Sequence, residues 1–296
     1  MTDTKTKKNI SWSNIAAEGL ISGGSAVGLT IFVAATANSI ALWADMAATI
    51  IDFLAIFIAW WGLKKSEAGK TETYNYGFGR LESLSSMAMA VLMLISFCCI
   101  MAAVCVRFLN PIAVGGFGIA AGIALHFVFG FINVRLLLRG LFVERKNKTP
   151  LASAQRRVFT IKAFANILMF SSLGVSFFFS NHAWAGYADP VAASLIAITL
   201  IAGASKIFKF SVRDLLDCAV EEQSQLKIIK ALTKHFDHYE QIFDIRTRSA
   251  GGKVYIEIFL EFAGNKPHCE VMETVRSLQQ EIKSSINCDE ILVIPV

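Results

Sequence analysis

Six long apolar runs narrow what this chain can fold into more than any other feature. They fall at roughly residues 18–39, 40–63, 83–108, 112–136, 158–180 and 187–209, each about twenty residues or longer. That is the length of helix needed to cross a hydrocarbon core of about 30 Å at 1.5 Å per residue. In lipid the backbone must satisfy its own hydrogen bonds, so such runs become helices. Composition agrees. Of 296 residues, 54% are hydrophobic and 17% charged, and the mean hydropathy is +0.53, too little charge for a soluble domain of this size. The expectation is a polytopic membrane protein, with Gly19, Gly23, Gly24 and Gly28 in the first run suited to close helix packing.

The connections sort by charge. The segment after the second run holds Lys64, Lys65, Lys70 and Arg80, and that after the fourth holds Arg139, Arg145, Lys146, Lys148, Arg156 and Arg157. The sixth run ends in Lys206, Lys209 and Arg213. The opposite connections carry no basic residue between the first two runs, Arg107 after the third, and only His182 between the fifth and sixth. The positive-inside rule then predicts an integral multi-pass protein, of a bacterial inner (plasma) membrane, with both termini cytoplasmic. The net charge of +5 therefore reports topology and lipid-headgroup contact, not a nucleic-acid partner. Residues 1–14 lack the apolar core and cleavage site of a signal peptide, so the first run is expected to be a retained span. The six cysteines show no paired spacing, which predicts no disulfide framework. Cys98, Cys99 and Cys105 sit in an apolar run, where cysteine acts as a small hydrophobe.

After the sixth run the texture becomes that of a small soluble domain. Residues 223–236 carry an amphipathic stripe of Leu226, Ile228, Ile229, Leu232 and Phe236, which predicts a helix. Residues 242–248 and 254–262 read as strands joined by a turn at Ser249–Gly252, with Tyr255, Glu257, Phe259 and Glu261 alternating against Ile256, Ile258 and Leu260. A helix over 268–286 and a strand over 290–294 follow. The expected fold is a membrane all-α unit of six transmembrane helices, 1–212, followed by a small cytosolic α/β domain, 213–296, of α-β-β-α-β (ferredoxin-like) order on an antiparallel or mixed sheet.

The second run holds two carboxylates, Asp45 and Asp52, seven residues apart. In a helix they share one face, with Ala48 and Thr49 between them. A carboxylate at membrane depth costs several kcal/mol unless it is paired, hydrated or bound to a cation. Two readings are open. Asp45 sits in water near the helix end while Asp52 pairs with a basic residue, or the two mark an ion pathway.

Several segments resemble the cation diffusion facilitator family. Asn38-Ser39-Ile40-Ala41-Leu42-Trp43-Ala44-Asp45 is similar to that family's approach to its second span, and Tyr74-Asn75-Tyr76-Gly77-Phe78-Gly79-Arg80-Leu81-Glu82-Ser83 to its loop before the third. Leu109-Asn110-Pro111, Tyr187-Ala188-Asp189-Pro190-Val191-Ala192, Ser211 to Asp217 and Phe243 to Gly251 match later landmarks in order. Among these, Arg80, Glu82 and Asp189 fall on family positions read as structural. The resemblance implies export of a divalent metal such as zinc in exchange for protons, by alternating access in a homodimer (or a heterodimer with a related transporter) joined through a regulatory cytosolic domain. The metal ion is then substrate, with zinc, iron(II) and manganese all open, and no cofactor is held permanently.

The family's ligands are largely replaced. Its four-residue tetrahedral site, two pairs spaced one helical turn apart on the second and fifth spans, here reads Ala48 and Asp52 on the second. On the fifth it reads either Phe164 and Leu168 or, two residues away, Lys162 and Asn166. The loop histidines become Tyr74 and Phe78, and the cytosolic ones Phe243, Phe259, Cys269 and Ile294. Asp52 alone recovers too little of a dehydrated ion's solvation. Three outcomes remain. Asp52, Asp45, Thr49 and Asn166 form an all-oxygen site for a harder cation such as iron(II), manganese or magnesium. Or Lys162 neutralises Asp52 in a fixed salt bridge, making a transport-incompetent family member that partners or regulates another transporter. Or the pair is a proton-responsive switch.

Other polar residues carry weaker expectations. His126 in the fourth run either faces the pathway or is a packed, hydrogen-bonded histidine, and Asp189 before Pro190 suits a helix N-terminus. His268, Cys269, Cys288 and Asp289 would make a cytosolic metal site only if the last helix and strand converge, and His235 and His238, three apart near a helix end, read either as solvated surface or as a weak metal site. No nucleophile with its base, and no metal triad, is present to support an enzyme.

Overall fold

The computed structural model describes residues 12–37, 40–67, 69, 71–109, 117–144, 150–179, 182–286 and 288–296. Within its helices the side chains of 33–37, 40–45, 117–121, 144, 150 and 183 fall outside the description. The chain divides into two compact units, 1–211 and 212–296.

The first unit holds α1 (Trp12–Ala37), α2 (Ile40–Ser66), α3 (Gly79–Leu109), α4 (Phe117–Glu144), α5 (Pro150–Phe178) and α6 (Ala188–Leu215), the last reaching into the second unit. Six of the described helices are long and apolar enough to cross a membrane. Together they make an integral multi-pass membrane protein. The helices outrun the apolar windows of the sequence. The segment 145–157, expected as a basic connection, is helical from Pro150 onward, with residues 145–149 outside the described set. The reason is an apolar stripe of Leu151, Ala152, Ala154, Val158 and Phe159, all buried. Interleaved Gln155, Arg156 and Arg157 hide it from averaged hydropathy. Pro150 suits a first helical position, where its missing N–H costs nothing. Arg139 is likewise helical, at the end of α4, and pairs with Glu18 of α1.

Contacts run α1–α2, α2–α5, α5–α4 and α4–α1, closing a ring of four helices, and α3 packs on α2 and α5. Without a hydrophobic drive between lipid-solvated helices, close approach rests on small residues. Phe159 seats against Gly19, Trp12 against Gly140, and Asn166 against Gly130, where an added Cβ would lie 3.2 Å from the Asn166 Cβ. The outer surface is apolar, for example Ile21, Phe32, Phe127, Phe131, Phe142 and Ile198, as lipid contact requires.

The second unit contains α7 (Glu222–Lys234), β1 (Gln241–Ala250), β2 (Lys253–Glu261), α8 (His268–Ser285) and β3 (Glu290–Pro295). The sheet is mixed, in order β1-β2-β3, with β1–β2 antiparallel and β2–β3 parallel. Ile245, Ile258 and Val293 align across it. The period-2 pattern puts Ile256, Ile258 and Leu260 into a core with Ile228, Leu232, Val271, Leu278 and Ile282 of the two helices. The hairpin loop is the two residues Gly251 and Gly252, at φ 61° and 77°, a left-handed pair that glycine adopts without strain. On the other face the Arg246 and Arg248 guanidinium groups sit 5.1 Å and 5.0 Å from the Phe259 and Tyr255 ring centres.

The exit of α6 is built by its own residues. Asp217 takes φ 51°, and the Cys218 N–H donates to the Arg213 carbonyl, the hydrogen bond of a Schellman end. Buried Asp214 accepts from Ser249 Oγ at 3.0 Å and from the Gly251 N–H at 3.1 Å, so both carboxylate oxygens hold the β1–β2 hairpin.

Candidate functional site

α5 supplies the centre of the membrane unit, and its polar residues recur on one stripe: Gln155, Lys162 and Asn166, at spacings of seven and four. Of the two candidate fifth-span pairs, Lys162 and Asn166 lie on the side of α5 that meets its neighbours. Lys162 Nζ lies 3.1 Å from Asp52 Oδ2 of α2, whereas Phe164 is an exposed, lipid-side residue. The two positions point about 200° apart on a helix. The side chains of Lys162 and Asp52 keep 22% and 33% of their exposure, so the pair is partly accessible within the helix ring. Either charge alone at mid-membrane costs about 3 kcal/mol on insertion scales, and mutual neutralisation offsets part of that.

One helical turn along α5, Asn166 is engaged at both ends. Its Nδ2 donates to the Lys162 carbonyl at 2.7 Å, and its Oδ1 lies 3.1 Å from His126 Nδ1 of α4. Gly130, one turn after His126, lets the two helices approach at this point. The chain Asp52–Lys162–Asn166–His126 thus links α2, α5 and α4. Thr49 is half-buried one turn before Asp52 on α2, while the side chain of Asp45 lies outside the described residues. Among the described residues no three His, Cys, Asp or Glu groups converge on a metal position.

The family-position residues have structural partners. Asp189, in the first turn of α6, is buried and forms an ion pair with Arg107 of α3. Its role is therefore to join two helices, beyond the helix-end effect expected from Pro190. Glu82, buried in the first turn of α3, accepts from Ser66 Oγ of α2. Arg80 is exposed in the same turn. Sequence reasoning missed Gln155, fully buried with a carboxamide that has no hydrogen-bond partner among the described residues. Its seven-residue spacing from Lys162 was the available signal.

In the second unit the proposed cytosolic ligands do not come together. Burial pushes the Cys288 thiol up from its ordinary pKa, against the thiolate form that binds metal, and Asp289 accepts from the Val254 N–H instead. His235 is held by Glu281 at 2.8 Å.

Six membrane-length helices around an intramembrane ion pair, followed by an α/β tail, define the class: a polytopic membrane protein of the ion-transport kind. A family profile described as the cation efflux transmembrane domain matches residues 19–216, and the chain belongs to the cation diffusion facilitator (cation efflux) family, a family of transporters and not of enzymes. The chain is 23% identical to the cation-efflux pump FieF of Shewanella oneidensis over 251 residues, 85% of this chain and 80% of that one. Against FieF of Klebsiella pneumoniae it is 22% identical over 247 residues, 83% and 79% of the two. Protein p34 of Rickettsia rickettsii is 24% identical over 147 residues, 50% of this chain and 46% of p34. The chain spans about half the length of that relative.

Proposed function

We propose that the protein carries a divalent metal cation across its membrane, out of the cytoplasm, in exchange for a proton, through a site centred on Asp52. The termini are cytoplasmic in this reading, because Lys and Arg cluster on one side of the spans. Two chains associate through their soluble units, by analogy with the family. The observation that carries the reading is the cation efflux profile over residues 19–216, which favours a transporter over the transport-incompetent member that an Asp52–Lys162 bridge at 3.1 Å would also suit. Asp52 is the acidic ligand beside Lys162, with Thr49 one turn and Asp45 two turns away on the same face of the second span, while the Asn166 oxygen is taken up by His126. Zinc, iron(II) and manganese are the candidate substrates.

Lys162 supplies the coupling. A divalent ion and the Lys162 ammonium compete for the same Asp52 carboxylate, so metal entry displaces the ammonium and the proton exchange is assigned to this pair.

The test is flux into proteoliposomes across a panel of zinc, iron(II), manganese, cobalt, cadmium and magnesium under a pH gradient. Flux of at least one ion that disappears in Asp52→Ala supports the reading. Folded protein that moves none of them, or whose flux survives the substitution, contradicts it.

A further inference from the structure

The histidine on α4 is the feature that the transport reading leaves unused. Asn166 Nδ2 is 2.7 Å from the Lys162 carbonyl oxygen; turning the amide over would bring two acceptor oxygens to that distance, so the orientation is determined. Asn166 Oδ1 therefore faces His126 Nδ1 at 3.1 Å, and a carbonyl oxygen has no proton to give. His126 must donate through Nδ1–H. In the neutral ring the lone pair then belongs to Nε2, on the opposite edge. An imidazole whose one N–H is tied to an oxygen acceptor and whose other nitrogen is bare is the arrangement of a metal-ligating histidine with its orienting partner. Packing reinforces the geometry: Gly130 admits Asn166 against α4, while Phe127 beside His126 faces outward and meets Phe170 of α5, ring centres 6.2 Å apart. His126 is thereby held on the inward side of α4.

We propose that His126 Nε2 is a ligand for the transported cation, and that Asn166 is its positioning residue rather than a ligand itself. The inference rests on the transport reading for its purpose. It adds a station roughly 6 Å along α5 from Lys162, at 1.5 Å per residue. An imidazole nitrogen narrows the substrate class to borderline divalent cations such as zinc, iron(II) and cobalt, and disfavours magnesium, which takes oxygen ligands.

The test uses the full chain in detergent, labelled with 15N-histidine, with the His126 resonances assigned by comparison with His126→Gln. Before metal, Nδ1 should be the protonated nitrogen and Nε2 the bare one. On titration with zinc, Nε2 should move to a coordinated position. Asn166→Leu should weaken that binding by 10- to 100-fold, and Asn166→Asp, which keeps an oxygen acceptor, should restore most of it. Magnesium should leave the resonance in place. A His126 Nε2 that is protonated at the start, or that does not move in excess zinc, overturns the inference. That failure is separable from failure of the transport reading. Flux that depends on Asp52 with an unmoved His126 sinks only the inference, and a responsive His126 without any flux sinks only the reading.

Discussion

At the scale of single residues, the proposed transport rests on the Asp52–Lys162 pair. Lys162 is a tethered cation next to the carboxylate that, in that proposal, holds a mobile one, so the two would compete for the same charge. Lys162→Met should therefore bind metal at least as tightly as wild type and lose metal-driven proton release. A pH-sensitive dye in proteoliposomes measures this, and proton release at the wild-type level would show that the proton comes from elsewhere. Arg107 and Asp189 are a pair of a different kind, joining α3 to α6 through a buried carboxylate and a guanidinium that is about a third exposed. Removing one partner of a fully buried pair costs about 3–5 kcal/mol, and the partial exposure of Arg107 lowers that cost. Asp189→Asn should lower the melting temperature of the detergent-solubilised protein clearly, with Arg107→Leu/Asp189→Leu losing less than the single change. A loss in the double variant equal to the sum of the two single-variant losses would mean that the pair is not coupled.

At the scale of elements, helix ends matter most. Asp214 holds the Gly251–Gly252 hairpin with two hydrogen bonds from a buried carboxylate, each worth about 1.5–3 kcal/mol as a bond to a charged group. Asp214→Ala should destabilise the second unit by roughly 3 kcal/mol or more in denaturant melts of the whole chain, whereas Ser249→Ala should cost less than half of that. α7 and α8 are joined by Glu281, whose carboxyl is held below its ordinary value by hydrogen bonds from Lys234 and His235. A carboxylate pKa that is lower when folded adds stability at and above the unfolded value near 4.5, and that stability fades as pH falls through the folded value. Stability of this unit should thus drop below about pH 4.5, and the drop should be smaller in Glu281→Gln. Being a surface pair, its contribution is modest and falls with salt.

At the scale of the whole molecule, apolar runs and the α-β-β-α-β pattern carried the fold because each repeats over many residues, and their sum survives local exceptions. The start of α5 was hidden because Gln155, Arg156 and Arg157 interrupt a stripe that only packing makes visible. The site was less legible for a physical reason: which of two registers faces inward depends on a rotation of α5, and two residues of offset turn it by about 200°. His126 was visible as a residue but not as a role, since its meaning depends on the amide of Asn166, forty positions away. The central claim is that one cation site, Asp52 with Lys162, exchanges metal for a proton. The most direct measurement records metal uptake and proton counterflow in the same proteoliposomes, for wild type and Asp52→Ala. The account predicts that the two fluxes rise together in wild type and vanish together in the variant. Metal uptake without proton movement, or proton-coupled uptake that persists without Asp52, would contradict it.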